Sequence, residues 1–193
     1  MSSADSPRVD LGALLVESGA VLQGHFLLTS GRHSNVYFEK FRVLEQPHVL
    51  SALCAEIASA FEGKVDVVAG PTTGGIIIAF EVARQMGLRS LYVESVDGLK
   101  MLRRGATIED GARVLIVDDV LTTGLSVHES AAAVRLAGGD VVGVGVLIDR
   151  STQDPGFGVP THAAYRVDAE SWADHEVPDW LKEIPITKPG TRA

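Results

Sequence analysis

The pattern that most restricts this chain is a short, largely apolar and β-branched run that ends abruptly in a polar or glycine-rich turn. Val65–Ala69 runs into GPTTGG, Arg113–Asp118 into DVLTTGLS, and Val141–Ile148 into DRS. After the first two turns the spacing changes to a helical one, over Gly75–Met86 and over the alanine-rich Ser126–Ala137, which closes on Gly138–Gly139. Strand, turn, helix, strand predicts βαβ units and a mostly parallel sheet. The strands carry no polar face, so helices must cover both sides. Ser90–Glu94 reads as a further strand and Pro47–Phe61 as a further helix.

The ends of the chain follow a different grammar. Residues 1–9 are polar, Leu11–Ala20 has a helical pattern, and Gly24–Phe41 reads as two short apolar runs split by a Ser-Gly turn, a hairpin. From Asp154 onward come five prolines with Trp172 and Trp180, which predicts an irregular tail packed back on the rest. The reading is one domain over 1–193. It has a core over about 48–150 and a small hood from about 11–41 plus the tail.

Charge removes whole classes of partner. Seventeen basic against 25 acidic side chains leave a formal charge of −8. Tracking a nucleic-acid backbone or an anionic membrane needs the opposite sign. A small anion held by a few well-placed groups stays open. The longest near-continuous apolar run, VVGVGVLI, is too short to span a bilayer, and a cytoplasmic location is expected. The lone Cys54 sits among small and apolar residues at helical spacing and reads as a core thiol rather than a nucleophile.

In open parallel sheets ligands bind beyond the carboxyl ends of the strands. Neither glycine-rich turn is followed by Lys-Ser or Lys-Thr, so no P-loop is present. No G-x-G-x-x-G opens a helix, no histidines stand at zinc spacing, and no G-x-S-x-G occurs. What does occur is DDVLTTGLS, an acidic pair followed by hydroxyls and a glycine at a helix start. Free amides, hydroxyls and the positive end of a helix form a phosphate cup, and Gly124 admits an oxyanion close to the backbone. Asp118 and Asp119 precede the cup, where a sugar carried by that phosphate would lie. The plainer alternative is a solvated acidic pair before a Thr-capped helix.

VLIVDDVLTTGLS, Val114–Ser126, resembles the phosphoribosyl-pyrophosphate motif of the type I phosphoribosyltransferases. GHFLLTSGRHSNVYF, Gly24–Phe38, is similar to the N-terminal signature of the orotate-using members. LIDRS resembles their strand-end arginine, GPTTGGIIIAFEVARQMG their pyrophosphate loop, and the KPG near the end one branch of them. The resemblance covers about 11–190. It implies the type I phosphoribosyltransferase α/β fold and transfer of ribose 5-phosphate from phosphoribosyl pyrophosphate to orotate. The products would be orotidine 5′-monophosphate, for pyrimidine synthesis, and pyrophosphate. A purine-using relative and a nucleotide-sensing regulator on the same fold are the alternatives.

The resemblance also assigns residues. Thr122, Thr123, Gly124, Leu125 and Ser126 would hold the 5-phosphate. Asp118 and Asp119 would take the ribose hydroxyls and stabilise charge at C1. Thr72, Thr73, Gly74 and Gly75 would meet the pyrophosphate and its Mg²⁺, which travels with the substrate and is at most touched by Asp118 and Asp119. Tyr37, Phe38, Thr122 and Arg150 would contact orotate. Residues 94–112 stand where the family has a mobile lid. There Lys100, Arg103 and Arg104 would bring cations to the leaving pyrophosphate, in a neighbouring subunit's site of a homodimer. A charged surface hairpin is the competing reading of that segment. Three positions depart from the best-known form of the family. Thr29 and the Thr72–Gly74 stretch stand where it has lysines, and the lid has no histidine.

Overall fold

The computed structural model describes residues 9–28, 30–103, 105–167 and 170–188. In chain order the elements are α1 (Leu11–Glu17), β1 (Val21–Leu27), β2 (His33–Phe38), α2 (Lys40–Leu44), α3 (Pro47–Ala60), β3 (Val67–Pro71), α4 (Gly74–Met86), β4 (Arg89–Val96) and β5 (Leu99–Met101). There follow β6 (Arg113–Leu121), α5 (Leu125–Leu136), β7 (Asp140–Asp149), β8 (Thr161–Arg166), β9 (Ser171–Trp172), a 3₁₀ turn (Asp174–Glu176), α6 (Asp179–Lys182) and β10 (Ile186–Thr187). They fall into two units, one made of residues 1–49 with 168–193, the other of Leu50–Val167.

The larger unit is the predicted α/β body. Its six strands run in the order β5-β4-β3-β6-β7-β8. Every pairing is parallel except β4 with β5. Both faces of β6 are buried: Val114 and Ile116 on one side, Leu115 and Val117 on the other. Such strands must be apolar throughout, which is why their sequence shows no alternation. The Val114–Ile116 face packs with Val127 and Val134 of α5 and with Val144 and Val146 of β7. On β7, a side chain at Gly145 would meet Ile57 of α3 at 2.5 Å, so α3 lies almost on the backbone of the sheet. Ile57 and Leu53 are fully buried, each worth about 1.5–3 kcal/mol of burial. Cys54 beside them is buried and free, and burial, with Glu81 adding, pushes its thiol up to about 12. It is a core residue.

One expectation fails here. The chain after Asp154 is not irregular throughout. β8 joins the sheet in parallel with β7, from Val144↔Thr161 to Asp149↔Arg166, so the body runs to Val167 rather than to about 150. β8 is an edge strand whose side chains are mostly half-exposed, and THAAYR lacks the apolar run that marks the inner strands.

The smaller unit is built from both ends of the chain. Its sheet has the order β10-β1-β2-β9. β1 and β2 form the predicted antiparallel hairpin, and β10 lies parallel to β1 with His25↔Ile186. Asp10 caps α1 by accepting from the Ala13 amide at 3.0 Å. Two buried histidines tie the tail on. His25 Nδ1 meets the Ile184 carbonyl at 3.2 Å, His25 Nε2 meets His33 Nδ1 at 2.6 Å, and His33 Nε2 stands 3.3 Å from the Asp174 carboxylate. Ser34 Oγ donates to the Glu170 carbonyl, and Trp172 and Trp180 meet edge to face at 6.0 Å.

Candidate active site

β3 and β6 are neighbours and parallel, so their carboxyl ends open on the same edge of the sheet. The two glycine-rich turns therefore stand side by side, each feeding a helix: β3 into α4 and β6 into α5.

The last residues of β6 hold the acidic pair. Asp118 and Asp119 are both buried. Asp118 accepts from the amide of Asp119 at 2.8 Å, and Asp119 from the amide of Val120 at 2.7 Å. Burial and then the neighbouring Asp119 push the Asp118 carboxyl above the usual carboxylate range. The Asp119 amide, the Ser126 hydroxyl and the Lys100 ammonium pull it back. A buried carboxylate so placed gains from any hydroxyl donor or cation that arrives. Five residues after Asp119, Gly124 takes φ 80°, a left-handed conformation in which a side chain is strained. α5 then begins at Leu125, with first-turn amides that have no partner within the helix. Thr122, Thr123 and Leu125 are exposed. A cleft of about 290 Å³ is lined by Asp118, Thr122, Thr123, Gly124 and Ser126. The geometry suits an anion at the α5 start with a polyol against the carboxylates.

The β3 turn is tighter. A side chain at Gly70 would meet the Gly75 carbonyl oxygen at 2.2 Å, so the strand end and the helix start touch backbone to backbone. Thr72 donates its amide to the Val93 carbonyl, and the Thr72–Thr73 peptide bond is cis. Gly74 and Gly75 are buried in the first turn of α4, while Thr72 and Thr73 face outward.

β7 delivers Arg150. Its amide donates to the Leu121 carbonyl at 2.9 Å, and Leu121 pairs with Asp149, so Arg150 and Thr122 leave adjacent strands at the same level. A second cleft of about 550 Å³, lined by Leu121, Asp149, Ser151 and Arg166 among others, adjoins the first at Leu121.

The lid segment is a hairpin at its start. Asp97 (φ 50°) and Gly98 (φ 81°) form the two-residue turn between β4 and β5, the geometry that twisted antiparallel strands favour. Lys100 on β5 donates to Ser126 Oγ of its own chain at 3.3 Å. Arg103 pairs with Glu94 at 3.5 Å. Arg104 lies outside the described residues.

Tyr37 and Phe38 belong to the smaller unit, on β2. Phe38 is buried, and the Tyr37 ring lies 5.7 Å from that of Phe26.

Sequence reasoning missed the residues that support the cup. His128, in the first turns of α5, donates Nε2–H to the Pro155 carbonyl at 2.8 Å, and its ring packs tilted against that of Phe157, 4.8 Å between centroids. A side chain at Gly124 would meet Phe157 and Pro155 both at 2.8 Å. The 151–158 segment thus braces the turn from behind. Its DPGFG composition signals only a loop. The contact joins positions more than 25 residues apart, which no local pattern reveals.

Residues 43–172 match the family model described as "Phosphoribosyl transferase domain". The orotate phosphoribosyltransferase of Pelotomaculum thermopropionicum is 48% identical over 96% of this chain and 98% of its own length. That of Erythrobacter litoralis is 44% identical over 91% and 93%. The crystal structure of orotate phosphoribosyltransferase from Aeropyrum pernix superposes with a TM-score of 0.70 at 30% identity, covering 81% of this chain and 93% of that one.

Proposed function

The chain belongs to the phosphoribosyl transferase family, in its orotate-using line, and from that premise we propose how its own residues perform the transfer. The reaction moves ribose 5-phosphate from 5-phosphoribosyl 1-pyrophosphate to N1 of orotate. It releases pyrophosphate and forms orotidine 5′-monophosphate, a step of pyrimidine biosynthesis. The observation that carries the residue assignment is the buried Asp118–Asp119 pair at the end of a strand that runs directly into the α5 cup.

The cup amides and the hydroxyls of Thr122, Thr123 and Ser126 hold the 5-phosphate. Asp118 and Asp119 accept from the ribose hydroxyls. As the bond from C1 to pyrophosphate breaks, positive charge grows on C1, and the two carboxylates stabilise it from fixed positions. Thr72, Thr73, Gly74 and Gly75 present backbone and hydroxyl donors to the departing pyrophosphate. Arg150 and Thr122 are assigned to the orotate oxygens, and Tyr37 and Phe38 to its ring on their place in the Gly24–Phe38 signature. A carboxylated base needs a cation such as Arg150, because a desolvated unpaired carboxylate costs several kcal/mol.

Mg²⁺ is the expected cofactor. The donor set fits a hard divalent ion: two carboxylates and hydroxyl oxygens. When bound, it neutralises charge on the leaving pyrophosphate. A homodimer in the cytoplasm is the assembly and place we propose. The outward Ile77 and Phe80, one turn apart on α4, support the former. No helix among the described residues is long and apolar enough to cross a membrane.

Incubation with phosphoribosyl pyrophosphate, Mg²⁺ and each of orotate, uracil, adenine, hypoxanthine and xanthine tests the assignment. Orotate alone should be consumed. Consumption of a purine in its place points to the purine-using alternative, and no turnover with any base to a regulator.

A further inference from the structure

We propose that Asp149, Ser151 and Arg166 are positioning residues for Arg150, and that through it they set the preference for a carboxylated pyrimidine. Their role rests on the assignment of Arg150 as the cation that meets orotate.

Arg150 stands just past the end of β7, where a chain leaving a sheet is ordinarily more mobile. Here its backbone is held on both sides. On the amino side, Asp149 pairs with Leu121 of β6 and with Arg166 of β8, and its carbonyl accepts from the Val167 amide at 3.0 Å. On the carboxyl side, the Asp149 carboxylate reaches past Arg150 to the next residue. Its Oδ1 accepts from the Ser151 amide at 2.8 Å and from the Ser151 hydroxyl at 2.6 Å. That is an Asx turn, with Arg150 as its middle residue. Arg166 closes the figure. Its Nη1 lies 3.5 Å from Asp149 Oδ2, and its Nη2 donates to the Ser151 carbonyl at 3.4 Å. Each of the three residues touches the other two, and Arg150 is enclosed between two of them in sequence. β8 makes this possible, because its register sets Arg166 directly beside Asp149.

Stability does not account for the triangle. The Arg166 side chain is 64% exposed, and an ion pair so exposed adds little. Its effects are geometric and electrostatic. An arginine side chain loses much rotamer freedom when it is fixed on a ligand, and a backbone held at both neighbours limits the positions its guanidinium must be chosen from. Charge matters as well. A carboxylate next in sequence to a ligand-binding arginine competes with the ligand for its guanidinium. Ser151 occupies Asp149 Oδ1, and Arg166 gives Asp149 a cation of its own, which lessens the pull of that carboxylate on Arg150.

Orotidine 5′-monophosphate and uridine 5′-monophosphate differ only by the carboxylate, so the ratio of their affinities reads its recognition alone. Both are titrated calorimetrically into the full chain and into its Arg150→Met, Ser151→Ala, Arg166→Gln and Asp149→Asn forms. Arg150→Met should collapse the preference for orotidine 5′-monophosphate. Ser151→Ala and Arg166→Gln, at the half-buried and exposed corners of the triangle, should each lower the ratio about fivefold or more, since a displacement of about 1 Å can cost up to about a hundredfold. Uridine 5′-monophosphate should bind these two forms as it binds the parent, and their thermal midpoints should stay within about 4 °C of it. Asp149→Asn keeps an acceptor for Ser151 and loses the charge facing Arg166, so it should match Arg166→Gln; the two corner variants decide the matter if this buried substitution unfolds the chain. In an Arg150→Met background, Ser151→Ala and Arg166→Gln should lower the ratio no further, because they act through Arg150. Equal weakening of both nucleotides, or a further fall in that background, overturns the proposal. An unchanged ratio in Arg150→Met refutes the assignment of Arg150, and the positioning role with it. A ratio that collapses there but holds in Ser151→Ala and Arg166→Gln refutes the positioning role alone.

Discussion

Gly124→Ala tests whether the cup is as tightly held as the contacts require. Two costs add. The φ of 80° places an alanine in the left-handed region, at about 1–2 kcal/mol. The new Cβ would then lie 2.8 Å from both Phe157 Cζ and Pro155 Cβ. Carbon atoms rest at about 3.5–4.0 Å, so both neighbours must retreat by more than half an ångström. Overpacking of this kind costs about 1–3 kcal/mol. Neither neighbour yields freely, because Phe157 packs against the His128 ring and the Pro155 carbonyl is bonded to it. The sum is about 2–5 kcal/mol, and at about 2–4 °C per kcal/mol for a chain of this size the melting midpoint should fall by roughly 4–20 °C. Any strain relieved by shifting the turn should appear as a higher KM for phosphoribosyl pyrophosphate, with KM for orotate much less changed. Thermal unfolding and steady-state kinetics read the two effects. A midpoint within about 2 °C of the parent together with an unchanged KM would falsify the brace.

Two further outcomes are expected. Asp119→Asn should lower turnover by about two orders of magnitude or more while leaving the thermal midpoint within a few degrees, since a near-isosteric amide keeps the packing but loses the charge at C1; near-normal turnover would remove Asp119 from the chemistry. Glu81 bonds chiefly to Arg84, and also to Gln85 and Ser51, which together hold its carboxyl down at about 2 against an unfolded value of 4.5. Its folded pKa lies below its unfolded one, so its contribution is present above pH 4.5 and is lost as pH falls from 4.5 toward 2. The guanidinium is about half exposed, and screening reduces the contribution to about 1 kcal/mol. Urea unfolding of Glu81→Gln against the parent should differ by that amount at pH 7 and converge near pH 2; a gap that persists at low pH refutes the ion pair as its source.

The inner strands were legible because burial on both faces forces continuous apolar runs, as at Val114–Val117 and Val144–Ile148. The carboxyl-end turns were legible for the complementary reason: GPTTGG and DDVLTTGLS interrupt the apolar runs with hydroxyls, glycines and acids, which marks where strands end and helices start, although Asp118, Asp119, Gly74 and Gly75 prove buried. β8 was not legible, because an edge strand is neither buried nor alternating. α2 was passed over because five residues hold no period. The α4 helix ended where the spacing placed it, at Met86, and Gly87 takes φ 67° just beyond. In the site, the residues that touch ligand by analogy were readable from local motifs. The bracing by His128, Pro155 and Phe157, and the reach of Lys100 to Ser126, depend on contacts between distant parts of the chain.

The smaller sheet joins the two ends of the chain, and that sets an order of assembly. β1 and β2 are made early, but β10, the strand that pairs with β1, comprises residues 186 and 187 of 193. The bond between His25 and the Ile184 carbonyl spans 159 positions. Leu50–Val167, by contrast, has every strand of its own sheet in hand before the tail is made. During synthesis the α/β body can close first, since pairings of long sequence separation form last. The β1–β2 hairpin must wait with both edges open until β9 and then β10 are made. A nascent chain stalled just short of Ile184 would therefore carry a finished phosphate cup and an unfinished hood sheet.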